Sequence, residues 1–375
     1  MTLLLAMLIT TADAGGYTCA TQANRRPVND FAVHEWGTFT AIAAPAGEAM
    51  QWRPLLGPSD LPDFVYGYDK PQVGLREPLP RGQGKGAGAR VRMETPVLYF
   101  YAPEPMLVSA KVGFPEGQIT EWYPRAKSVG EDGIDWGTFR VLPGENVEYP
   151  SDGSDSHYYP ARIADADPVR VCSGSDYQHE GFLFYRGIGD FDLSLGVSMA
   201  EDHLTLTHDR DVPVMVFERR GQRVGFQLTD GSSTVMRPEL DDEMPDVLNA
   251  LYEVLIEEGL YEKEAAAMIK TWEDHWFDEG LRVFYPLPQA ETDAILPLTL
   301  EPQPAELVRV LVGRVEVITP EIEREVLAIL SSDSSDAYVL TFLRKHHGRF
   351  AEPILASLAD TELRAARILR EIRRS

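Results

Sequence analysis

The sequence is poor in cysteine, in basic residues and in long apolar runs. Its 375 residues include two cysteines, and 35 lysines and arginines against 59 aspartates and glutamates give a formal net charge of −24. Because such an acidic surface repels a phosphate backbone, we expect no nucleic-acid partner. No apolar run reaches the roughly 20 residues that a spanning helix needs, so we expect no transmembrane segment in the mature chain.

Familiar catalytic motifs are also missing. The zinc-binding pattern HExxH is absent, because Trp-Gly-Thr follows His34-Glu35 and Gly-Phe-Leu follows His179-Glu180. These absences exclude a thermolysin-type zinc helix. No G-x-S-x-G nucleophile motif and no Gly-Lys-Ser/Thr phosphate loop occurs either.

The N-terminus resembles an export signal. An apolar stretch from Leu3 to Ile9 precedes Ala12-Asp13-Ala14, which fits a small-residue cleavage site. We therefore predict a signal segment at 1–14 and a periplasmic or extracellular location. The positively charged start of such signals is absent, so translation could begin upstream of Met1. A buried N-terminal strand or helix is the alternative.

The two cysteines, Cys19 and Cys172, are predicted to form one disulfide if the chain is exported. Two unpaired buried thiols are the alternative if it is not.

Short apolar stretches predict an α+β fold. Residues 31–42, 91–101 and 106–114 read as strands, and further strands follow at roughly 8–12-residue spacing up to 230. This spacing favours a mainly antiparallel body, sandwich- or barrel-like, over residues 15–240. Polar residues 143–179 read as a loop.

Helical periodicity begins near 241. Residues 241–319 are expected to hold a helical hairpin, whose helices end at Gly259 and Gly280, and strands packed on the β body. Thr319-Pro320 then predicts the start of a C-terminal helical segment at 320–375.

The strand at 31–42 carries an acidic residue among core-type residues. Because side chains alternate along a strand, Glu35 shares a face with Val33 and Phe39. A near-copy, Asp135-Trp136-Gly137-Thr138-Phe139, predicts the same arrangement for Asp135, with Trp36 and Trp136 on equivalent faces. The glycine after each tryptophan predicts a bulge or a close backbone approach.

Polar residues in strands are therefore the candidate site. The predicted catalytic residues are Glu35, Asp135 and Glu94, because paired carboxylates suit acid/base cleavage of a glycosidic bond. The predicted ligand-binding residues are His34, Trp36, Glu121, Trp122 and Arg186.

Two other interpretations use overlapping residues. His34, His157 and His179 could hold a metal together with a carboxylate. Alternatively, Glu35 or Glu94 forms a purely structural ion pair, for which Arg92, Arg140 and Arg186 are the candidate cations.

Three stretches are similar to a group of uncharacterised bacterial exported proteins: residues 34–40, 93–101 and 309–320, which read HEWGTFT, METPVLYFY and RVLVGRVEVITP. The resemblance implies export but no activity, cofactor or catalytic residue.

The resulting hypothesis is an exported, soluble bacterial protein that binds an unidentified ligand at a polar-aromatic cleft. The alternatives are a hydrolase acting on a glycan or peptide, through paired carboxylates or a His/carboxylate metal site, and a structural envelope protein. The sequence assigns neither a cofactor nor an oligomeric state.

Overall fold

The computed structural model describes residues 30–55, 60–67, 87–131, 133–173 and 175–374. The signal-like segment 1–14 and Cys19 lie outside these residues. The strands are β1 (Ala32–Ala43), β2 (Tyr66–Gly67), β3 (Val91–Tyr101), β4 (Met106–Val112), β5 (Gly117–Tyr123), β6 (Ser128–Gly130), β7 (Gly133–Val141), β8 (Val169–Ser173), β9 (Asp176–Glu180), β10 (Leu183–Gly189), β11 (Gly196–Ala200), β12 (His203–Thr207), β13 (Pro213–Arg220), β14 (Arg223–Asp230), β15 (Thr234–Met236), β16 (Gly280–Pro286), β17 (Leu298–Glu301) and β18 (Glu306–Val317).

The α-helices follow mainly in the C-terminal third. They are α1 (Met244–Glu257), α2 (Glu262–Trp276), α3 (Gln289–Ile295), α4 (Pro320–Leu330), α5 (Asp336–His347), α6 (Ala351–Leu358) and α7 (Leu363–Arg374). Short 3-10 helices span Tyr159–Ile163 and Gly348–Phe350. The predicted α+β class is confirmed. Within the described ranges, no helix is long and apolar enough to cross a membrane.

A nine-stranded sheet forms the middle of the fold, in the order β14-β13-β16-β18-β1-β3-β10-β5-β2. Its two long central strands, β1 and β18, pair in parallel, whereas the other strand pairs of the described residues are antiparallel. Because both faces of this sheet are covered, β1 is buried along its whole length. The end strands β14 and β2 do not pair with each other in the part of the chain described, so the sheet is not a closed barrel.

Two smaller sheets cover one face of the nine-stranded sheet. One has the order β17-β4-β7-β8-β9, with β6 added beside β7, and the other has the order β11-β12-β15. Val33, Phe39 and Leu311 of the large sheet share one apolar core with Phe139 and Leu204 of the small sheets. The prediction of a loop at 143–179 is wrong in part, because this stretch contains β8 and most of β9.

Helices cover the opposite face. The hairpin of α1 and α2 packs Leu251, Met268 and Trp272 over Trp36 and Val310. Helices α4 to α7 enclose a separate apolar cluster beside Trp52 at the far end of β1. The predicted helical hairpin is confirmed; α3 and α6 were not expected, because neither is long enough to show a clear helical period.

Both glycines of the two Trp-Gly pairs occupy special positions, as expected. A Cβ on Gly37 would lie 2.9 Å from the Cα of Pro96, where β3 bulges opposite β1. Gly137 has a φ of +65° and lies where the β4–β7 register shifts by one residue. That extra residue changes which side chains of β7 face the core.

Candidate functional site

Glu35 is completely buried in an ion pair. Arg309 Nε donates to Glu35 Oε2 over 2.6 Å, and the Tyr185 hydroxyl donates to the other carboxylate oxygen. A second carboxylate, Asp293 of α3, accepts from Arg309 Nη1 over 2.7 Å. The prediction that Arg92, Arg140 or Arg186 would neutralise Glu35 is wrong. The parallel register places Arg309 directly beside Glu35, and such a neighbour cannot be read from local sequence.

The electrostatics of this pair favour the charged form of Arg309. Burial lowers the pKa of Arg309, but the neighbouring Glu35 carboxylate outweighs burial and raises the pKa above its ordinary value. Burial and the Glu35 charge also raise the pKa of Tyr185, which therefore stays a hydroxyl donor. The catalytic role of Glu35 stays a prediction.

Asp135 lies in a different environment from Glu35. Trp136, Phe139 and Ile134 enter the core, whereas Asp135 points away from it and is partly exposed, 3.7 Å from Lys127 Nζ. The expectation that Asp135 shares a face with Phe139 is therefore wrong, because the bulge at Gly137 reverses the alternation. The prediction that Trp36 and Trp136 occupy equivalent faces is also wrong, because Trp136 faces the core between the sheets, whereas Trp36 faces the hairpin.

Glu94 and Arg186 lie on the helix-covered side of the large sheet. Glu94 accepts from Thr40 Oγ1 over 3.1 Å and pairs with Arg92 at 3.4 Å, as the structural alternative predicted. Arg186 donates twice to Asp60, over 2.7 and 2.8 Å. Burial disfavours the Arg186 charge, but Asp60 raises its pKa overall. Both residues are thereby ion-paired within the protein.

The remaining predicted binding residues do not form one cleft. Glu121 lies opposite Arg186 in the β5–β10 register and is partly buried. Trp122, beside it, turns to the other face and stacks against Tyr66 with ring centroids 6.1 Å apart. Trp36 belongs to the apolar cluster beneath the hairpin.

His34 holds the start of α2. Its Nδ1 lies 2.8 Å from Glu264 Oε2, and Tyr101 donates to Glu264 Oε1 over 2.5 Å. The Tyr261 backbone N–H also donates to Glu264, which closes the first turn of the helix. These bonds fix the first turn of α2, so His34 and Glu264 have a structural role.

The predicted three-histidine metal site does not form from these residues. His34 contacts Glu264, His179 Nε2 accepts from Arg170 Nε over 2.8 Å, and His157 contacts the Thr271 carbonyl. His34 and His157 contact α2 at positions seven residues apart, and His179 contacts β8. Cys172 is exposed on β8; because Cys19 lies outside the described residues, their disulfide stays a prediction.

A second polar cluster, which we call the Ser194 site, was not predicted. Exposed Ser194 follows β10, buried His208 follows β12, Tyr285 lies on β16 and Glu291 on α3. Ser194 Oγ donates to Glu291 Oε2 over 2.5 Å and lies 3.0 Å from His208 Nε2. Glu291 Oε1 is 3.3 Å from the same His208 nitrogen. A hydroxyl that water can reach is thus held between an imidazole and a carboxylate.

The Tyr285 hydroxyl is a hydrogen-bond donor next to the Ser194 hydroxyl. Tyr285 Oη is 3.3 Å from Ser194 Oγ, and the Leu195 backbone N–H donates to Tyr285 Oη over 3.4 Å. Burial raises the pKa of Tyr285 to about 12, even though hydrogen bonding to Ser194 opposes this shift. Tyr285 therefore stays protonated at neutral pH and can donate to a developing negative charge.

His208 is fixed by the backbone of Arg210. Its Nδ1 lies 3.0 Å from both the amide nitrogen and the carbonyl oxygen of Arg210. When the Arg210 N–H donates to Nδ1, His208 Nε2 carries the proton and donates to Ser194 or Glu291. This contact orients the imidazole toward the serine, whose oxygen can accept from Nε2–H while its hydroxyl donates to Glu291.

No local motif could have revealed the Ser194 site. Its residues are spread over almost 100 positions, and they meet because β12 belongs to a small sheet packed against β16. The glutamate is carried by the seven-residue helix α3, which has no recognisable sequence period. The only signal was a histidine followed by two acidic residues within a turn, His208 to Asp211, and this combination is common in loops.

Neither protein-family models nor curated proteins gave a match to this chain.

Proposed function

We propose that this chain is an exported bacterial protein that binds an acyl-bearing ligand at the Ser194 site and hydrolyses its ester or amide bond. The observation that carries the proposal is the 2.5 Å hydrogen bond from exposed Ser194 to Glu291, with His208 Nε2 3.0 Å from the same hydroxyl. A nucleophile, a base and an orienting group within hydrogen-bond reach are what covalent acyl transfer needs.

The chemistry follows from these contacts. Ser194 Oγ attacks the carbonyl carbon and passes its proton to the Glu291 carboxylate. Tyr285 Oη, which accepts from the Leu195 N–H, then donates to the carbonyl oxygen as it becomes an oxyanion. The leaving alcohol or amine takes the proton from Glu291, which leaves an acyl group on Ser194. Water then attacks the acyl carbon as Glu291 takes its proton. The bond from this carbon to Ser194 Oγ breaks, the acid is released, and Glu291 returns the proton to Ser194.

His208 acts as a positioning residue in this scheme. Its Nε2–H donates to the serine and carboxylate oxygens, and its Nδ1 is held by Arg210. This assignment differs from the familiar serine-histidine-carboxylate order, because here the carboxylate contacts the serine directly. Removing Glu291 should therefore cost more activity than removing His208.

The experiment uses the mature protein and a panel of p-nitrophenyl esters of increasing chain length. Ser194→Ala should abolish turnover, and Glu291→Gln should lower kcat by about 10²–10⁴-fold. Ser128→Ala, which changes an exposed serine on β6, is the matched control and should retain full activity. Turnover that survives in Ser194→Ala, or a folded wild-type protein without turnover on any ester or peptide substrate, would refute the proposal.

Export is supported by the N-terminal sequence alone. The apolar segment and the Ala12-Asp13-Ala14 motif should direct cleavage after Ala14. Intact-mass analysis of protein from the native host should then show a chain that begins at Gly15. A soluble cytoplasmic protein that retains Met1 would contradict export without affecting the proposal for Ser194.

A further inference from the structure

A cluster of two histidines and an aspartate lies outside the Ser194 site, beside the last turns of α2. One candidate ligand atom from each of His157, Asp274 and His275 lies within 4.8 Å of the other two. The His157 and His275 rings have centroids 4.6 Å apart. From this geometry we propose that His157, Asp274 and His275 bind a zinc ion that fastens the loop before the Tyr159–Ile163 helix to α2.

The donor set suits zinc. Imidazole nitrogen and carboxylate oxygen are both zinc ligands, and three protein ligands with water in the fourth position is a common arrangement. Asp278 Oδ2 lies 3.8 Å from His275 Nδ1 and is a second carboxylate at the same place. Among divalent first-row metals, copper(II) has the highest affinity for such nitrogen and oxygen ligands, so copper(II) can serve as a spectroscopic probe of the same site.

His157 is held against α2 without any ion. Its Nδ1 lies 2.7 Å from the Thr271 carbonyl oxygen and 3.6 Å from Asp274 Oδ1. When Nδ1–H donates to this carbonyl, the lone pair of the neutral ring is on Nε2. Its ring also stacks on Trp272 at 5.7 Å with an interplanar angle of 11°. One hydrogen bond and one stacking contact therefore fix the ring before any ion binds, which lowers the entropy lost on binding.

The surroundings favour a cation. His275 lies in the last turn of α2, where the helix dipole is negative. Asp274 and His275 are exposed over 65% and 50% of their side chains, so an ion can enter without displacing the core.

The site is independent of the Ser194 site. Ser194 and Tyr285 belong to the side of the large sheet that faces the small sheets, whereas α2 covers the opposite side. The loop that carries His157 also anchors Asp60, because Ser156 Oγ donates to the Asp60 carbonyl over 2.6 Å. A zinc ion here would thus fix the loop that contacts Asp60, the ion-pair partner of Arg186.

The test is titration of the chelator-treated, dialysed mature protein with zinc chloride by calorimetry. Wild type should bind one ion that His157→Gln and His275→Gln each lose or bind at least about tenfold more weakly. His203→Gln, an exposed histidine on β12, is the matched control and should bind as wild type does. Zinc should also raise the Tm of the wild type and leave the Tm of His275→Gln unchanged.

Copper(II) gives a second readout that does not depend on stability. Its electron paramagnetic resonance spectrum should show two nitrogen ligands in wild type and one in either variant. Should a histidine variant fail to fold, the exposed change Asp274→Asn serves in its place and should weaken zinc binding. Wild-type protein that binds no zinc up to millimolar concentration, or variants that bind as tightly as wild type, would overturn the proposal.

Discussion

Replacing Glu35 by glutamine is the sharpest test of how the centre of the sheet is held together. The change keeps the shape of the side chain but removes the negative charge that faces Arg309 and Tyr185. Arg309 would then remain completely buried. Its one remaining carboxylate partner among the described residues would be Asp293, which is half exposed. An uncompensated buried charge is among the most destabilising defects a core can acquire.

The magnitude follows from these contacts. Breaking a buried ion pair by removing one partner typically costs about 3–5 kcal/mol of unfolding free energy. The glutamine oxygen can still accept one hydrogen bond, and Asp293 still neutralises part of the arginine charge. We therefore expect Glu35→Gln to cost ~2–4 kcal/mol. Combining it with Arg309→Met should cost less than the sum of the two single changes, because the second change removes the stranded charge.

The assay is equilibrium urea unfolding at neutral pH, with Asp135→Asn as the matched control. Asp135 is partly exposed and 3.7 Å from an exposed lysine, so its change should cost less than about 1 kcal/mol. Equal losses for Glu35→Gln and Asp135→Asn, or an additive double variant, would refute the assignment of Glu35 to a buried ion pair.

Three further predictions concern other parts of the fold. Gly37→Ala should destabilise the protein by about 1–3 kcal/mol in the same unfolding assay, because the added methyl lies 2.9 Å from Pro96 Cα, whereas Gly130→Ala, with no atom near its Cβ, should cost much less. Burial raises the pKa of Asp60 but Arg186 outweighs it, so the folded pKa lies below the ordinary value; the stability that this pair contributes is complete above about pH 4 and is lost as pH falls further. Asp60→Asn should therefore flatten the loss of Tm between about pH 5 and pH 2, and an unchanged slope would count against the pair. Peptide mapping of the exported protein without reductant should reveal a Cys19–Cys172 linkage, and two alkylated thiols would disprove it.

Local patterns predicted much of the architecture. Alternation placed Glu35, Val33 and Phe39 of β1 on one face, and the structure agrees, because β1 itself is regular. The same rule failed for Asp135, since one extra residue at Gly137 reverses which side of β7 faces the core. Thr319 and Pro320 marked the start of α4 correctly, because capping depends only on neighbouring residues.

The sites depended on contacts that the sequence does not encode locally. Arg309 meets Glu35 because β18 runs parallel to β1, although 274 positions separate the two residues. Glu291 reaches Ser194 through α3, a helix too short to show a period. His157 was expected beside His34 and His179, yet it lies against His275, which the sequence analysis did not single out.

The most direct test of the central claim is covalent labelling of the mature protein with a fluorophosphonate, followed by tryptic mass spectrometry. Cleavage after Arg186 and Arg210 isolates a peptide that contains both Ser194 and Ser198, and fragmentation separates the two. The account predicts one adduct, on Ser194, and much slower labelling in Glu291→Gln. A folded protein that carries no adduct on Ser194, or carries it equally on Ser198, would contradict the assignment of Ser194 as the nucleophile.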